Sequence, residues 1–421
     1  MILTHFFDPT RGGGEAMFYQ LVDQLSKKGH KIFIVRHKMR SLDLSRNNLD
    51  ALSSSDNIVN SIVLYEVNPA IECKGGYPAG ILRNILYVLN AIRVGLRIIK
   101  MNQVDIIHCN DYSPIFAGWF LSKLMGIPLL VTIHHVASLY GYDFWKRWME
   151  QFGKLSKIKA LIGHVSELLT IKLSKNIHTV SEASMRALLS FNPKCRVYVI
   201  PNALNLEHYK LAPENKIEYG NFMVFIGRLV YYKHLEVVIE ALRILRDKCN
   251  VKLVVLGDGP MRRYWESLVE HYNLKDFVEF KGYVSHEEKL YYLSRCRALV
   301  LPSTFEGFGM VILEAWALRK PVIVTDVEPL NKIVTHGLDG YVVKNRPEIW
   351  AEHIRLLMTN EELSRQMGNN GYRKLITKYN VVKQVNELER LYMELVGKSI
   401  TVPTDIYDNE LKTHQKHYHL H

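Results

Sequence analysis

Short apolar runs alternate with longer amphipathic stretches from one end of this chain to the other, and that alternation limits its fold more than any other feature. In the first half the runs are 2–7, 31–35, 62–65, 105–108, 129–132, 176–180 and 196–200. In the second half they are 221–226, 252–256, 278–280, 298–301, 321–324 and 340–343. Helical spacing of apolar residues marks the stretches between them, among them 15–28, 235–247, 262–272 and 286–295. Strands that alternate with helices pair in parallel, because each helix carries the chain back across a sheet face. A chain of 421 residues is too long for one ordinary core. The expectation is α/β: two doubly wound, Rossmann-like domains. The boundary belongs in 201–219, which is polar, carries Pro213 and shows no periodicity. Beyond Val396 the periodicity stops, and a disordered tail is expected. Its His414, His417, His419 and His421 either bind a metal or do nothing.

Composition excludes several classes. A hydrophobic fraction of 48% is that of a globular protein. No stretch reaches eighteen uninterrupted apolar residues; the nearest, 115–133, carries Lys123, Gly126 and Pro128 and divides into a helix and a buried strand. The first residues read as a short strand without a basic leader, so no signal peptide is expected. Cys73, Cys109, Cys195, Cys249 and Cys296 are odd in number and lack any Cys-x-x-Cys spacing, which argues against a disulfide framework and a zinc site. A soluble, cytoplasmic protein with no bound metal is expected. The net charge of +12 calls for an anionic partner. No helix-turn-helix, zinc-finger or RNA-recognition signature is present, so nucleic acid is not expected. Anionic lipid and a nucleoside diphosphate remain.

The chemistry-bearing residues gather where strands end, which is where open α/β sheets bind ligands. Glu306 follows the run 298–301, and Glu314 falls inside the helix expected after it. Gly307 and Gly309 lie between, where backbone N–H groups can approach a ligand at the positive end of that helix. Two carboxylates for hydroxyls and a set of amides for oxygens suit a polyhydroxylated anion; alone, a Glu-x7-Glu spacing is weak, since helices are rich in Glu. Arg228 and Lys233 follow the run 221–226 and can neutralise a diphosphate, or be solvated surface cations. Gly12, Gly13 and Gly14 follow the first run without the spacing of a dinucleotide or P-loop fingerprint. Gly257-Asp258-Gly259-Pro260 reads as a turn that shapes a neighbouring loop, and Phe280 to Ser285 as a strand end whose backbone groups can read a nucleobase edge. His134 and His135 end the run 129–132; such a histidine is more often a structural hydrogen-bonder than a functional group.

In this order the motifs resemble the retaining glycosyltransferases of family 4, which have the GT-B fold. The resemblance runs from about Ile2 to Leu395 and is carried by Gly12–Glu15, His134, Ile200-Pro201-Asn202, Gly227-Arg228-Leu229 with Lys233, Gly257–Pro260, and Glu306-Gly307-Phe308-Gly309 through Glu314. It implies an active site in the cleft between an acceptor-binding domain, 1–205, and a nucleotide-sugar-binding domain, 206–380. Residues 381–398 would form a helix crossing back to the first domain, with a tail at 399–421. By the same resemblance Arg228 and Lys233 hold the donor diphosphate, with the amides of Gly12 and Gly13 closing on it. Glu306 and the amides of Phe308 and Gly309 take sugar hydroxyls, Glu314 takes the ribose, Val284 meets the base and His134 faces the anomeric centre. Two departures stand out. Val327-Glu328-Pro329-Leu330 replaces a glycine loop beside the sugar, and Asn202-Ala203-Leu204-Asn205 replaces Asn-Gly-Val-Asp.

The activity implied is transfer of a hexose from a nucleoside-diphosphate sugar, UDP ahead of GDP, with retention and without a cofactor or metal. Trp145, Trp148, Phe152 and Leu155 share a helical face flanked by Lys146, Arg147, Lys154 and Lys157, and Arg93, Arg97 and Lys100 line another helix. Basic amphipathic helices suit an anionic bilayer surface, so a lipid-linked or glycan acceptor at the cytoplasmic face of a membrane is expected, with a soluble sugar as the alternative. Rival readings are a nucleotide-sugar epimerase, a phosphorylase and a silent nucleotide- or membrane-binding scaffold. Base, sugar, acceptor and oligomeric state are left open.

Overall fold

The computed structural model describes residues 1–7, 13–39, 61–71, 80–110, 112–151, 156–209 and 220–398. Thirteen strands fall into two sheets. The first contains β1 (Ile2–Leu3), β2 (Ile32–Met39), β3 (Ile62–Ile71), β4 (Ile107–Asn110), β5 (Leu129–Ile133), β6 (Asn176–Thr179) and β7 (Arg196–Val199), in the order β3-β2-β1-β4-β5-β6-β7. The second contains β8 (Phe222–Ile226), β9 (Lys252–Leu256), β10 (Val278–Gly282), β11 (Ala298–Leu301), β12 (Val322–Thr325) and β13 (Gly340–Val343), in the order β10-β9-β8-β11-β12-β13. All neighbours pair in parallel, with Ile2 opposite both Ile34 and His108 in the first sheet.

Parallel strands lie between two helical layers and so read as near-continuous apolar runs. On one face of the first sheet lie the helices Ile81–Met101, Tyr112–Met125 and Glu182–Phe191, which contribute Tyr87, Ile115 and Leu188 to the core. On the other lie Gly13–Lys27 and the last helix, Val381–Val396, whose Val385, Leu388 and Leu391 pack against Met17, Phe18 and Leu21. Burying each such side chain contributes about 1.5–3 kcal/mol, so the C-terminal helix is held firmly on the N-terminal sheet. Trp265, Trp316 and Trp350, on helices that cover the second sheet, are fully buried. Trp316 reaches that depth because Gly371 opposite has no side chain: a Cβ there would stand 2.1 Å from the indole.

Strand order reverses between β1 and β4 in one sheet and between β8 and β11 in the other. Doubly wound sheets open a crevice at the carboxyl ends of such strands. Both crevices face the same cleft, since the carbonyl of His134, after β5, meets Gly307, after β11.

Candidate active site

The C-terminal wall of the cleft begins with a packed double turn. Gly257 adopts φ 133°, and a Cβ there would lie 2.0 Å from the carbonyl oxygen of Gly227, so only glycine lets the two loops touch. Leu229 N donates to Asp258 O at 2.9 Å and Met261 N to Leu229 O at 2.9 Å. The turn 257–260 thus braces the loop carrying Arg228. Lys233 ends the short 3-10 turn Tyr231–Lys233, and its side chain folds back over Gly227.

The Lys233 ammonium pairs with Oε1 of Glu306, and Ser303 Oγ donates to the same oxygen at 2.8 Å. Both charged side chains are 13% exposed, so this pair is largely shielded from water. The cation and the carboxylate expected to serve different parts of a donor are therefore in direct contact. Arg228 is half-buried nearby. Burial holds His135 below its ordinary pKa; Glu167 opposes this and the Arg228 charge adds to it.

Past Glu306 the chain turns through Gly309, at φ 92°, into the helix Met310–Ala317. The helix follows β11 and so opens at the carboxyl edge of the sheet, where backbone N–H groups can meet a ligand. Phe308 is buried against Tyr379, so its side chain is structural and its backbone is what remains for a ligand. Inside the helix, Glu314 lies 2.9 Å from the Lys289 ammonium, off the line of a hydrogen bond, and Tyr209 bonds to the same carboxylate. Burial, then the neighbouring Glu314 charge, raise the Tyr209 pKa far above its ordinary value, so its hydroxyl stays a donor. Val284 lies half-buried between Gly282 and Ser285, and the Ser285 side chain caps the helix His286–Arg295 that carries Lys289.

On the N-terminal wall, His134 Nε2 contacts Asn110 Oδ1 at 3.0 Å, and a Cβ on Gly14 would stand 3.0 Å from the same nitrogen. Burial lowers the His134 pKa to about 3, so the imidazole is neutral at any physiological pH. Gly13 opens the helix Gly13–Lys27; Gly12 lies outside the described residues. Across the cleft, then, His134 and His135 meet Gly307, with the Arg228 and Glu306 charges acting on His135, while Glu314, Val284 and the Phe308–Gly309 backbone belong to the C-terminal wall.

Residues 11–208 match the family described as Glycosyltransferase Family 4, and residues 210–374 match Glycosyl transferases group 1. A glycosyltransferase of Methanocaldococcus jannaschii is 32% identical over 316 residues, which is 74% of this chain and 82% of that protein. The chain is a family 4 glycosyltransferase of the GT-B fold. The gpi3 subunit of the phosphatidylinositol N-acetylglucosaminyltransferase of Schizosaccharomyces pombe is 27% identical over 82% of this chain and 69% of its own length. Sucrose-phosphate synthase from Thermosynechococcus elongatus superposes with a TM-score of 0.74 at 20% identity, covering 94% of this chain and 99% of its own.

Sequence reasoning missed three residues of this glycosyltransferase. Glu167 is fully buried and accepts from Ala137 N at 2.9 Å, Ser138 N at 2.6 Å, Tyr112 Oη at 2.5 Å and Trp145 Nε1 at 3.3 Å. It fixes the turn that follows His134 and His135. The signal was present, for Glu167 is the lone acid in the helix Ser156–Leu173. Lys289 and Tyr209, the partners of Glu314, gave no signal, because only the tertiary fold brings them to it.

One expectation is corrected. Trp145 is buried, and Trp148 lies tilted against it with ring centroids 5.2 Å apart. The apolar face of the helix Gly141–Glu150 packs into a seam joining the domains, where Phe144 meets Phe305 at 4.7 Å and Tyr232 at 5.9 Å. Gly163 makes room for the Trp145 ring, 2.5 Å from where a Cβ would stand. This face is core and is closed to a bilayer; Phe152, Lys154 and Leu155 lie outside the described residues. Glu328, in the segment that departs from the family pattern, pairs with Arg186 of the N-terminal domain at the cleft edge.

Proposed function

We propose that this glycosyltransferase moves a hexose from a nucleoside-diphosphate sugar, a UDP-sugar ahead of a GDP-sugar, to a hydroxyl of a lipid-linked acceptor, retaining the anomeric configuration. The observation that carries the reading is the contact of Lys233 with Glu306, with Arg228 beside it and His134 opposite. A diphosphate entering here takes over the Lys233 ammonium, which frees Glu306 to accept from hydroxyls of the sugar. Arg228 and Lys233 then stabilise the charge that grows on the departing diphosphate. Glu314, with Tyr209 and Lys289, grips the ribose, and the Gly13 and Phe308–Gly309 amides hold phosphate and sugar oxygens.

The reaction breaks the bond from the anomeric carbon to the phosphate oxygen and forms one to the acceptor oxygen on the same face. The acceptor proton passes to the leaving phosphate oxygen. A neutral His134 donates or accepts a hydrogen bond beside the sugar without adding charge there. The protein's own contribution is positional and electrostatic.

The lipid-linked acceptor is supported by the gpi3 relative, whose name gives phosphatidylinositol as its acceptor. A soluble acceptor is supported by another relative, the 2-deoxystreptamine N-acetyl-D-glucosaminyltransferase of Niallia circulans, 25% identical over 66% of this chain. Incubation with UDP-, GDP- and ADP-sugars, followed by mass spectrometry of lipid and aqueous products, decides between the two. The anomeric proton coupling in the product then reads the stereochemistry. A product inverted relative to its donor overturns the retaining mechanism, and turnover of no nucleotide sugar overturns the donor.

A further inference from the structure

The helix Ser156–Leu173 is inside out. The residues it buries are Ala160, Glu167, Thr170 and Ile171. The residues it turns to solvent include Ile158, Leu161, Ile162, Val165 and Leu169, which at spacings of three and four form one continuous apolar row. Ile158 is 55% exposed and Leu161 54%. Surface helices of globular proteins show the opposite pattern. The helix Ile81–Met101 repeats it at its start, where Leu82, Ile85, Leu86 and Leu89 are exposed, Leu82 by 69%. Between these two packs Tyr112–Met125, which exposes Phe120, Leu124 and Met125 at its end.

These three helices lie side by side on one face of the N-terminal sheet, so their outer sides share one surface. Isolated exposed apolar residues are ordinary, but rows of four and five along one side of a helix mark an interaction site. Charge says what covers it. The helices Ile81–Met101 and Tyr112–Met125 contain no Asp or Glu, and in Ser156–Leu173 the single acid, Glu167, is buried. Their cations, by contrast, are outward: Arg83, Arg93, Lys100, Lys123, Lys157 and Lys172 are all exposed. A second copy of this chain would bring like charges together across the face. A bilayer with anionic headgroups supplies both needs, an apolar boundary for the rows and fixed negative charge for the fringe.

We propose that this three-helix face of the N-terminal domain docks the enzyme on an anionic membrane surface. The helix Ile81–Met101 follows β3 and so starts at the carboxyl edge of the sheet, and Ser156–Leu173 reaches the same edge where Glu167 meets Tyr112 and Ala137, so Leu82–Leu89 and Ile158–Ile162 lie on the cleft side of the layer. Docking there presents the N-terminal side of the cleft to lipid. The inference rests on the lipid-linked acceptor proposed above and names the surface that reaches it, in place of the buried tryptophan helix.

The test is co-sedimentation of the full chain with vesicles of phosphatidylcholine alone and of equimolar phosphatidylcholine and phosphatidylglycerol, with no substrate present. Wild-type protein partitions onto the anionic vesicles, and raising salt releases part of it as headgroup charge is screened. Lys157→Glu with Lys159→Glu, Lys159 being a half-buried cation on the other flank of the row, weakens partition by about 30-fold or more, the loss of two juxtamembrane cations. Leu161→Gln with Val165→Gln weakens it by about tenfold through lost apolar burial. Lys146→Glu with Arg147→Glu, on the helix whose apolar face is buried, changes it less than the Lys157 and Lys159 pair. Wild-type protein that ignores anionic vesicles overturns the proposal, as does partition unmoved by the first two pairs. A dimer in light scattering that Leu161→Gln with Val165→Gln dissociates gives the face to a second copy and overturns it too. Sedimentation needs no turnover, so its failure leaves the donor and transfer chemistry standing, and failed transfer leaves the docking result standing.

Discussion

The carbonyl oxygen of His134 lies 2.7 Å from where a Cβ on Gly307 would stand, so the two domains touch backbone to backbone at the centre of the cleft. Such an approach, tighter than any real Cβ contact, is open to glycine alone. Gly307 does not have the left-handed conformation that would strain alanine, so only space is at issue. Gly307→Ala should therefore fold normally and wedge the walls apart by a few tenths of an ångström or more. A small misplacement of reacting groups can cost about 100-fold in rate. The expected result is a turnover number 10- to 100-fold lower, with donor affinity by calorimetry changed far less. An unchanged turnover number would mean that the cleft opens further during catalysis than this contact allows.

Lys233→Ala removes the partner of Glu306 and, on the proposed reading, a cation from the departing diphosphate. Losing one such stabiliser costs about two to three orders of magnitude in rate. Because the pair is at the cleft and outside either main core, circular dichroism should report an intact fold. Near wild-type turnover would remove Lys233 from the chemistry and leave it as the structural partner of Glu306.

The residues that set these distances were unequally legible beforehand. All the apolar runs formed strands, because parallel strands buried on both faces need nothing but apolar side chains. β2 and β3 ran longer than their runs, since Arg36 and His37 are polar yet enclosed. Arg36 donates to Phe7 O at 2.8 Å and Glu66 Oε1 at 2.9 Å, and His37 bonds Pro69 O, partners that hydropathy does not register. Glu306 and Glu314 stood out because a loop and a helix separated by seven residues make local sense. That Lys289 and Tyr209 converge on Glu314 depends on three separate elements meeting. Trp145 misled because an amphipathic helix looks the same whether its apolar side meets lipid or the neighbouring domain.

Glu314→Ala tests the ribose assignment. Contacts to ribose persist from ground state to transition state and so count as uniform binding. Hydrogen bonds to a charged group contribute about 1.5–3 kcal/mol, or roughly 10- to 100-fold in donor affinity. The dissociation constant for the donor should rise by that factor while the turnover number holds. Tyr209→Phe, which removes one donor from the carboxylate, should raise it several-fold. A fall in turnover number with affinity unmoved would place Glu314 at the reacting centre instead.

Activity is expected to survive chelation. Among the described residues no group of three or more His, Cys, Asp or Glu converges as a metal site. On the proposed reading, Arg228 and Lys233 place positive charge where a divalent ion would otherwise screen the diphosphate. Initial rates with and without EDTA should agree, and a loss restored by Mg²⁺ or Mn²⁺ would show that these two cations are insufficient.

The buried histidines of the N-terminal domain predict how its stability varies with pH. Burial lowers the pKa of His5 and His134 to about 3 and of His37 and His178 to about 4. His178 and His108 are locked in a chain in which His178 Nε2 meets Ile200 O, Thr132 bridges both rings, and His108 Nδ1 meets Tyr392 of the C-terminal helix at 2.6 Å. In the unfolded chain these groups titrate near 6.5. Between about 6.5 and 4 the unfolded state therefore binds more protons than the folded one, and stability falls as pH falls. Each such histidine contributes a slope of up to about 1.4 kcal/mol per pH unit. Melting temperatures should be flat above pH 7 and drop steeply from pH 6 to 4.5, and His178→Gln should make the drop shallower while costing some stability at neutral pH. A melting temperature constant down to pH 5 would mean that these rings carry their protons in the folded state.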